Sequence, residues 1–190
     1  GAGKGTQSGF LAKHFHIPHI SAGDELRAEI LSGSRLGKKI SSIIDSGGMM
    51  PSSFMNALMK KRLSKKDCVR GWIADGYPRQ VPQATGMHRF GAPSVVLLLH
   101  IADAAAIKRL SGRRVCPRGH IYHVQHHRPT KKAGYCDHDG LRLHQRVDDT
   151  PTAIRKRLKL YHAQTEPVID WYRKKGIVVT VDAHASIHDV

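Results

Sequence analysis

The chain opens on Gly1-Ala2-Gly3-Lys4-Gly5-Thr6 and runs straight into Phe10, Leu11 and Phe15 at near-helical spacing. Glycines are required where backbone N–H groups close around phosphate oxygens, because a Cβ would stand in the way. A helix starting at Lys4 adds its positive end to such a site, and Lys4 is placed to reach the outer phosphates of a nucleotide. Loops of this kind join a strand to a helix, so the rest of the chain should alternate strands with helices. Half a loop alone could still be a glycine turn with an incidental lysine, and the later segments decide. The sequence enters inside the loop, so its first glycine and the strand before it are expected to be missing. A piece starting at Gly1 is expected to fold poorly by itself and to be weakly active.

The alternation follows. Ile17-Pro18-His19-Ile20 reads as a short strand, and Ser21 as the cap of a helix with Asp24 in its first turn. Arg35 to Ile44 reads as a helix ended by Gly47-Gly48. Ser52 or Ser53 caps the next, which carries Phe54, Leu58 and Leu63 toward Cys68. Trp72-Ile73-Ala74 is a strand leading into an Asp75-Gly76-Tyr77-Pro78-Arg79 turn. Val95 to Ile101 has the continuous apolar pattern of a parallel strand covered on both faces. Ala104 to Leu110 and Ala153 to Lys175 are helical, and Ile177 to Val181 is a last strand. Between Arg113 and Asp149 the periodicity disappears, and His, Gly, Pro and Lys take over. The class is α/β with a parallel sheet and an inserted small module.

Composition narrows the function. The 190 residues hold 31 Lys and Arg against 15 Asp and Glu, a formal charge of +16. Such a surface attracts polyanions, whether nucleic acid, anionic membrane or phosphorylated small molecules, unless it is simply a solvated face. No apolar run approaches the ~18 residues of a membrane span. Three cysteines suit a reducing compartment better than a disulfide scaffold.

Taken together, Gly1 to Gln7, Ser21-Ala22-Gly23-Asp24-Glu25-Leu26-Arg27 and Asp75-Gly76-Tyr77-Pro78-Arg79-Gln80-Val81-Pro82-Gln83-Ala84 closely resemble adenylate kinase. The later blocks Arg109-Leu110-Ser111-Gly112-Arg113-Arg114, Gln145-Arg146-Val147-Asp148-Asp149 and Arg155-Lys156-Arg157-Leu158 keep the family's order to about Asp182. The resemblance implies a P-loop NTPase-type parallel sheet flanked by helices, forming one core over residues 1–190. It adds an AMP-binding insertion at 21–50 and a lid at 112–149. The reaction implied is reversible phosphoryl transfer from MgATP to AMP, giving two ADP. Such chemistry needs positioning and spread positive charge more than covalent help.

Position by position, the resemblance puts ATP phosphates on Lys4 and the backbone of Gly1, Ala2, Gly3, Gly5 and Thr6. It puts Arg109 beside the ATP adenine. The AMP phosphate falls to Arg27 and Arg79, and its adenine to Gln83, Gly76, Met49 and Met50, with Ser21 and Ala22 lining the site. Core packing competes for the two methionines. Arg113, Arg146 and Arg157, with Lys4 and Arg79, converge on the moving phosphoryl group. Asp75, helped by Asp24, would hold Mg²⁺ through water, and Asp148 and Asp149 would orient arginines. Ala22 stands where the family usually has threonine, which removes one hydroxyl contact to AMP.

Lids of this family hold either a polar cluster or zinc. Cys116, Cys136 and Asp139 match three ligand places, and His120 is the nearest fourth, with His123 and His138 in reserve. A structural zinc is expected there, stapling a module too small for its own core. Cys68 reads as a buried structural thiol. ATP, AMP and ADP are the expected partners of a cytoplasmic monomer, with no membrane expected among them. Two rivals remain: a kinase for UMP or CMP, and a basic nucleic-acid-binding protein with a ribbon-like lid.

Overall fold

The computed structural model describes residues 1–45 and 48–190; Gly47, expected to help end a helix, lies outside them. Helix α1 (Lys4–Phe15) starts as expected, behind Gly3 at φ 80°. Strand β1 (His19–Ser21) leads into α2 (Ala22–Leu31), where the Ser21 hydroxyl accepts the Asp24 N–H at 3.3 Å. Helix α3 (Arg35–Asp45) packs against α2 at very short range. A Cβ built on Gly37 would stand 2.4 Å from the Glu29 carbonyl oxygen, so only glycine permits this crossing.

Helix α4 (Ser52–Leu63) has no side-chain cap, contrary to expectation, because the Ser52 hydroxyl donates to Gln80 Oε1 at 2.6 Å instead. Strand β2 (Ile73–Asp75) and helix α5 (Val81–Met87) follow. Asp75 therefore closes a strand rather than opening a turn. Strand β3 (Val96–His100) and helix α6 (Asp103–Ser111) precede the module between β4 (Arg113–Val115), β5 (Ile121–His123) and the helix α7 (Pro151–Leu160).

The long helix expected over 153–175 is divided. After α7 the chain widens into a π-turn at Tyr161–Thr165 before α8 (Glu166–Arg173), and β6 (Val178–Asp182) ends the order. Pro167 supplies the physical reason: it has no N–H for the carbonyl four residues back, and its ring crowds that turn.

Parallel pairing is present, but as two pairs rather than one continuous sheet. Strand β1 pairs with β2, and β3 with β6, while β4 and β5 form an antiparallel hairpin. Among the described residues no ladder joins β2 to β3. The second pair is covered on one face only: Val96 and Val178 pack under Val168 and Tyr172 of α8, whereas the paired Leu97 and Val179 are 45% and 50% exposed. The expectation of burial on both faces is corrected accordingly. The larger core gathers Ile20, Leu26, Ile40, Met55, Met59 and Met87 between α2, α3, α4 and the first strand pair. Both parallel pairs run toward the end where the phosphate loop sits, which is where such sheets bind ligands.

Candidate active site

The loop and the end of β2 meet. Gly3 is left-handed, and a Cβ on Gly5 would come 3.5 Å from Asp75 Oδ2, so the carboxylate lies directly under the loop. A Cβ on Gly1 would strike the backbone of Ala106 at 2.6 Å, which shows how closely the loop lies on α6. Ala2 is buried behind it. His19 Nε2 stands 3.4 Å from Asp75 Oδ2. Burial pushes the Asp75 carboxyl up, but His19, Lys4 and Arg79 outweigh it and hold it below the usual range. Lys4 remains reachable by water yet is ringed by protein. Loss of solvation lowers its ammonium pKa, Asp75 opposes this, and Arg79, Arg157 and Arg113 lower it further.

The arginines expected from the sequence share this one field. Arg79 donates through Nε to the Gly76 carbonyl at 2.7 Å, and Gly76 is left-handed with its absent Cβ 2.9 Å from Arg79 Nη2. Burial lowers the Arg79 pKa, with Arg157 and Arg27 adding repulsion against Asp75 and Asp148. Arg146 falls to about 10, through burial and then Arg27 and Arg113. Arg113 grips Asp149 with two bonds of 2.7 Å, and Arg157 bonds to Asp148 Oδ2 at 3.0 Å and Asp149 Oδ1 at 3.3 Å. Asp149 is completely buried, so the two acids fix the guanidinium planes, as expected of them. Six cations, Lys4, Arg27, Arg79, Arg113, Arg146 and Arg157, thus feel one another's charge, with only Asp24, Asp75, Asp148 and Asp149 to set against them. A polyanion would relieve that repulsion.

Other expected site residues are engaged differently. Asp24 does not stand free beside Asp75: Arg27 Nε donates to its carboxylate at 3.1 Å, and its backbone N–H donates to the Ser21 hydroxyl at 3.3 Å. The Gln83 amide is 3% exposed, accepting the Arg79 N–H at 2.8 Å and donating to Gln80 at 3.2 Å. To meet a base it must exchange those partners. Met50 and Ala22 are buried in the main core, so packing accounts for Met50, while Met49 is half-buried. Arg109 donates to the carbonyls of Ala183 at 2.7 Å and His184 at 2.9 Å, pinning the loop after β6 against α6. Sequence reasoning missed His19, and it missed the Ser52–Gln80–Gln164 chain beneath Arg79. The first carried no signal beyond its position in a strand; the second links residues 84 positions apart.

In the module, Cys116, His120, Cys136 and Asp139 bring one donor atom each within 4.8 Å of one another. His120 Nδ1 lies 3.2 Å from Cys116 Sγ, 3.3 Å from Cys136 Sγ and 3.2 Å from Asp139 Oδ2. Zinc–ligand bonds of ~2.0 to 2.3 Å give tetrahedron edges of roughly 3.3 to 3.8 Å, so these four residues fit such an ion. The His120 N–H points at Cys116 Sγ at 3.3 Å, and the Tyr122 hydroxyl at Cys136 Sγ at 3.5 Å, the outer-shell bonds a thiolate uses. Neither reserve is a fourth donor here: His138 stacks on His120, and His123 turns toward Gly112.

A family model described as adenylate kinase matches residues 1–177. An adenylate kinase of Streptomyces avermitilis is 42% identical, covering all of this chain and 89% of the relative. One of Caldicellulosiruptor bescii is also 42% identical over the whole chain and 90% of its own length. One of Methanococcoides burtonii is 43% identical over 98% of the chain and 89% of the relative. The chain belongs to the adenylate kinase family. It is a phosphotransferase of the nucleoside monophosphate kinase type, and the nucleic-acid-binding rival is not favoured. For an adenylate kinase the cation-rich cleft is the expected equipment, because the moving phosphoryl group carries its charge on peripheral oxygens. Among the described residues no helix is long and apolar enough to cross a membrane.

Proposed function

We propose that the cleft between the phosphate loop, Arg79 and the 146–157 segment transfers the terminal phosphoryl group of MgATP to AMP. The convergence of Lys4, Arg79, Arg113, Arg146 and Arg157 on one field carries this reading. Lys4 and the N–H groups of the loop hold the ATP phosphates; Arg27 and Arg79 hold the AMP phosphate. Arg113, Arg146 and Arg157 surround the group in flight. Asp75 would hold Mg²⁺ through water, and the ion would supply positive charge against the nucleotide phosphates. The loop after β6, pinned by Arg109, flanks the ATP adenine. Residues 21–50 close over AMP and residues 112–149 over ATP, excluding water.

Cys116, His120, Cys136 and Asp139 hold a structural zinc that staples the lid away from the chemistry. The enzyme works as a cytoplasmic monomer with ATP, AMP and ADP as its partners. A coupled assay with AMP, UMP, CMP and GMP as acceptors tests the substrate. AMP should be preferred by at least tenfold in kcat/KM, and equal use of a pyrimidine acceptor would refute the choice of base. Loss of ~10²-fold or more on Arg79→Ala tests the cleft.

A further inference from the structure

The six cations of the site, with Arg109 on the loop after β6, leave 24 of the 31 Lys and Arg unaccounted for by nucleotide binding. Several collect at the far end of α1, whose 12 residues carry it ~18 Å from the phosphate loop. There the 65–71 turn is docked on the helix end: Arg70 Nη2 donates to the His16 carbonyl at 3.2 Å, and a Cβ on Gly71 would touch Ile17 at 3.4 Å. Phe15 and Val69 project from this end at 59% and 83% exposure. Lys13, Lys65, Lys66 and Arg70, each within four residues of one or the other along the chain, are exposed, and none forms an ion pair with an acid among the described residues. Asp67, the acid of the turn, is already held by Arg62 at 2.8 and 3.0 Å.

We propose that this end of the molecule, with Phe15 and Val69 and the cations Lys13, Lys65, Lys66 and Arg70, docks on an anionic lipid bilayer. The two apolar side chains enter the headgroup boundary, and the four cations meet the lipid phosphates. The mixture of groups favours lipid over nucleic acid. Val69 is the more exposed of the pair, and an aliphatic side chain offers no face on which bases stack. The surface lies at the opposite end of α1 from the phosphate loop. Docked enzyme therefore keeps its nucleotides accessible.

The experiment is co-sedimentation of the full chain with vesicles of phosphatidylcholine alone or with 30% phosphatidylglycerol, at low and high salt. Binding is expected only to the anionic vesicles, weakening as salt rises. Lys65→Ala with Lys66→Ala should lower partitioning roughly 30-fold, at about fivefold per cation. Phe15→Ser with Val69→Ser should lower it by roughly tenfold or more even at low salt. Kinase activity free in solution should stay unchanged in both double variants, which certifies folding. Equal binding to neutral and anionic vesicles would overturn the proposal. So would binding that ignores the Phe15 and Val69 changes, or single-stranded RNA displacing the vesicles while those changes leave its affinity untouched.

Discussion

Replacing Asp149 by asparagine tests the most economical feature of the site. The carboxylate is completely buried, takes two 2.7 Å bonds from Arg113 and one of 3.3 Å from Arg157, and so neutralises two cations at once. An amide keeps the shape but loses the charge, and it turns an N–H₂ toward guanidinium donors. Removing one partner of a buried ion pair costs ~3–5 kcal/mol. Here Arg113 and Arg157 keep 19% and 30% of their side-chain surface, so water recovers part of that. A loss of ~2–3 kcal/mol remains, which for a chain of this length is a fall in Tm of roughly 5–10 °C.

The same substitution should cut kcat by 10²-fold or so, because both arginines lose the geometry that aims them at the phosphoryl group. Asp148→Asn is the control: it is 20% exposed, meets only Arg157, and should cost about 1 kcal/mol. Scanning calorimetry and a coupled assay on both variants read the comparison. Equal shifts below ~2 °C for the two would refute the view that Asp149 organises the pair.

Three further outcomes follow from the structure. Lys4 carries a folded-state pKa below its ordinary value, so the native state binds fewer protons than the unfolded one between those two values, and stability rises with pH across that window. Lys4→Met should therefore raise Tm near neutral pH while removing activity, with the gain shrinking as pH climbs toward the ordinary lysine value; a lowered Tm would contradict the repulsion. Cys136→Ser should drop bound zinc from one ion per chain to none and lower Tm without altering KM for AMP, as metal analysis and calorimetry would read. Ala22→Thr should lower KM for AMP by roughly 3- to 10-fold at a modest cost in stability, since Ala22 is 2% exposed in the core; an unchanged KM would show that the hydroxyl is not missed.

The legible parts of this protein are those decided over a few residues. The start of α1 at Lys4 and the Ser21 cap follow from local spacing and side-chain chemistry, while the four donors of the module were legible through the family resemblance, with His120 as the nearest fourth. The π-turn before α8 was present as Pro167, but a proline one turn inside a strongly periodic segment permits a kink, an ending or a widening, and only the packing selects among them. Leu97 and Val179 illustrate a different limit. A run of apolar residues states that a strand can be covered twice, while whether it is depends on which helices reach each face. Within the site, the sequence named the cations and only some of their partners. The Asp24–Arg27 pair is an i,i+3 spacing on α2 that the sequence offered, whereas the hold of Arg79 and Gln80 on Gln83 depends on rotamers that spacing does not encode.

The bare backbone at Gly37 bears on how the enzyme can move. With no side chain between them, the α2 and α3 backbones meet directly, like the two layers of one paddle. In the proposed closure over AMP, the bending would fall on the connections that tie the paddle to the core. A bulkier residue at that position would therefore prise the paddle open and blunt substrate capture without touching a single group that contacts the nucleotide.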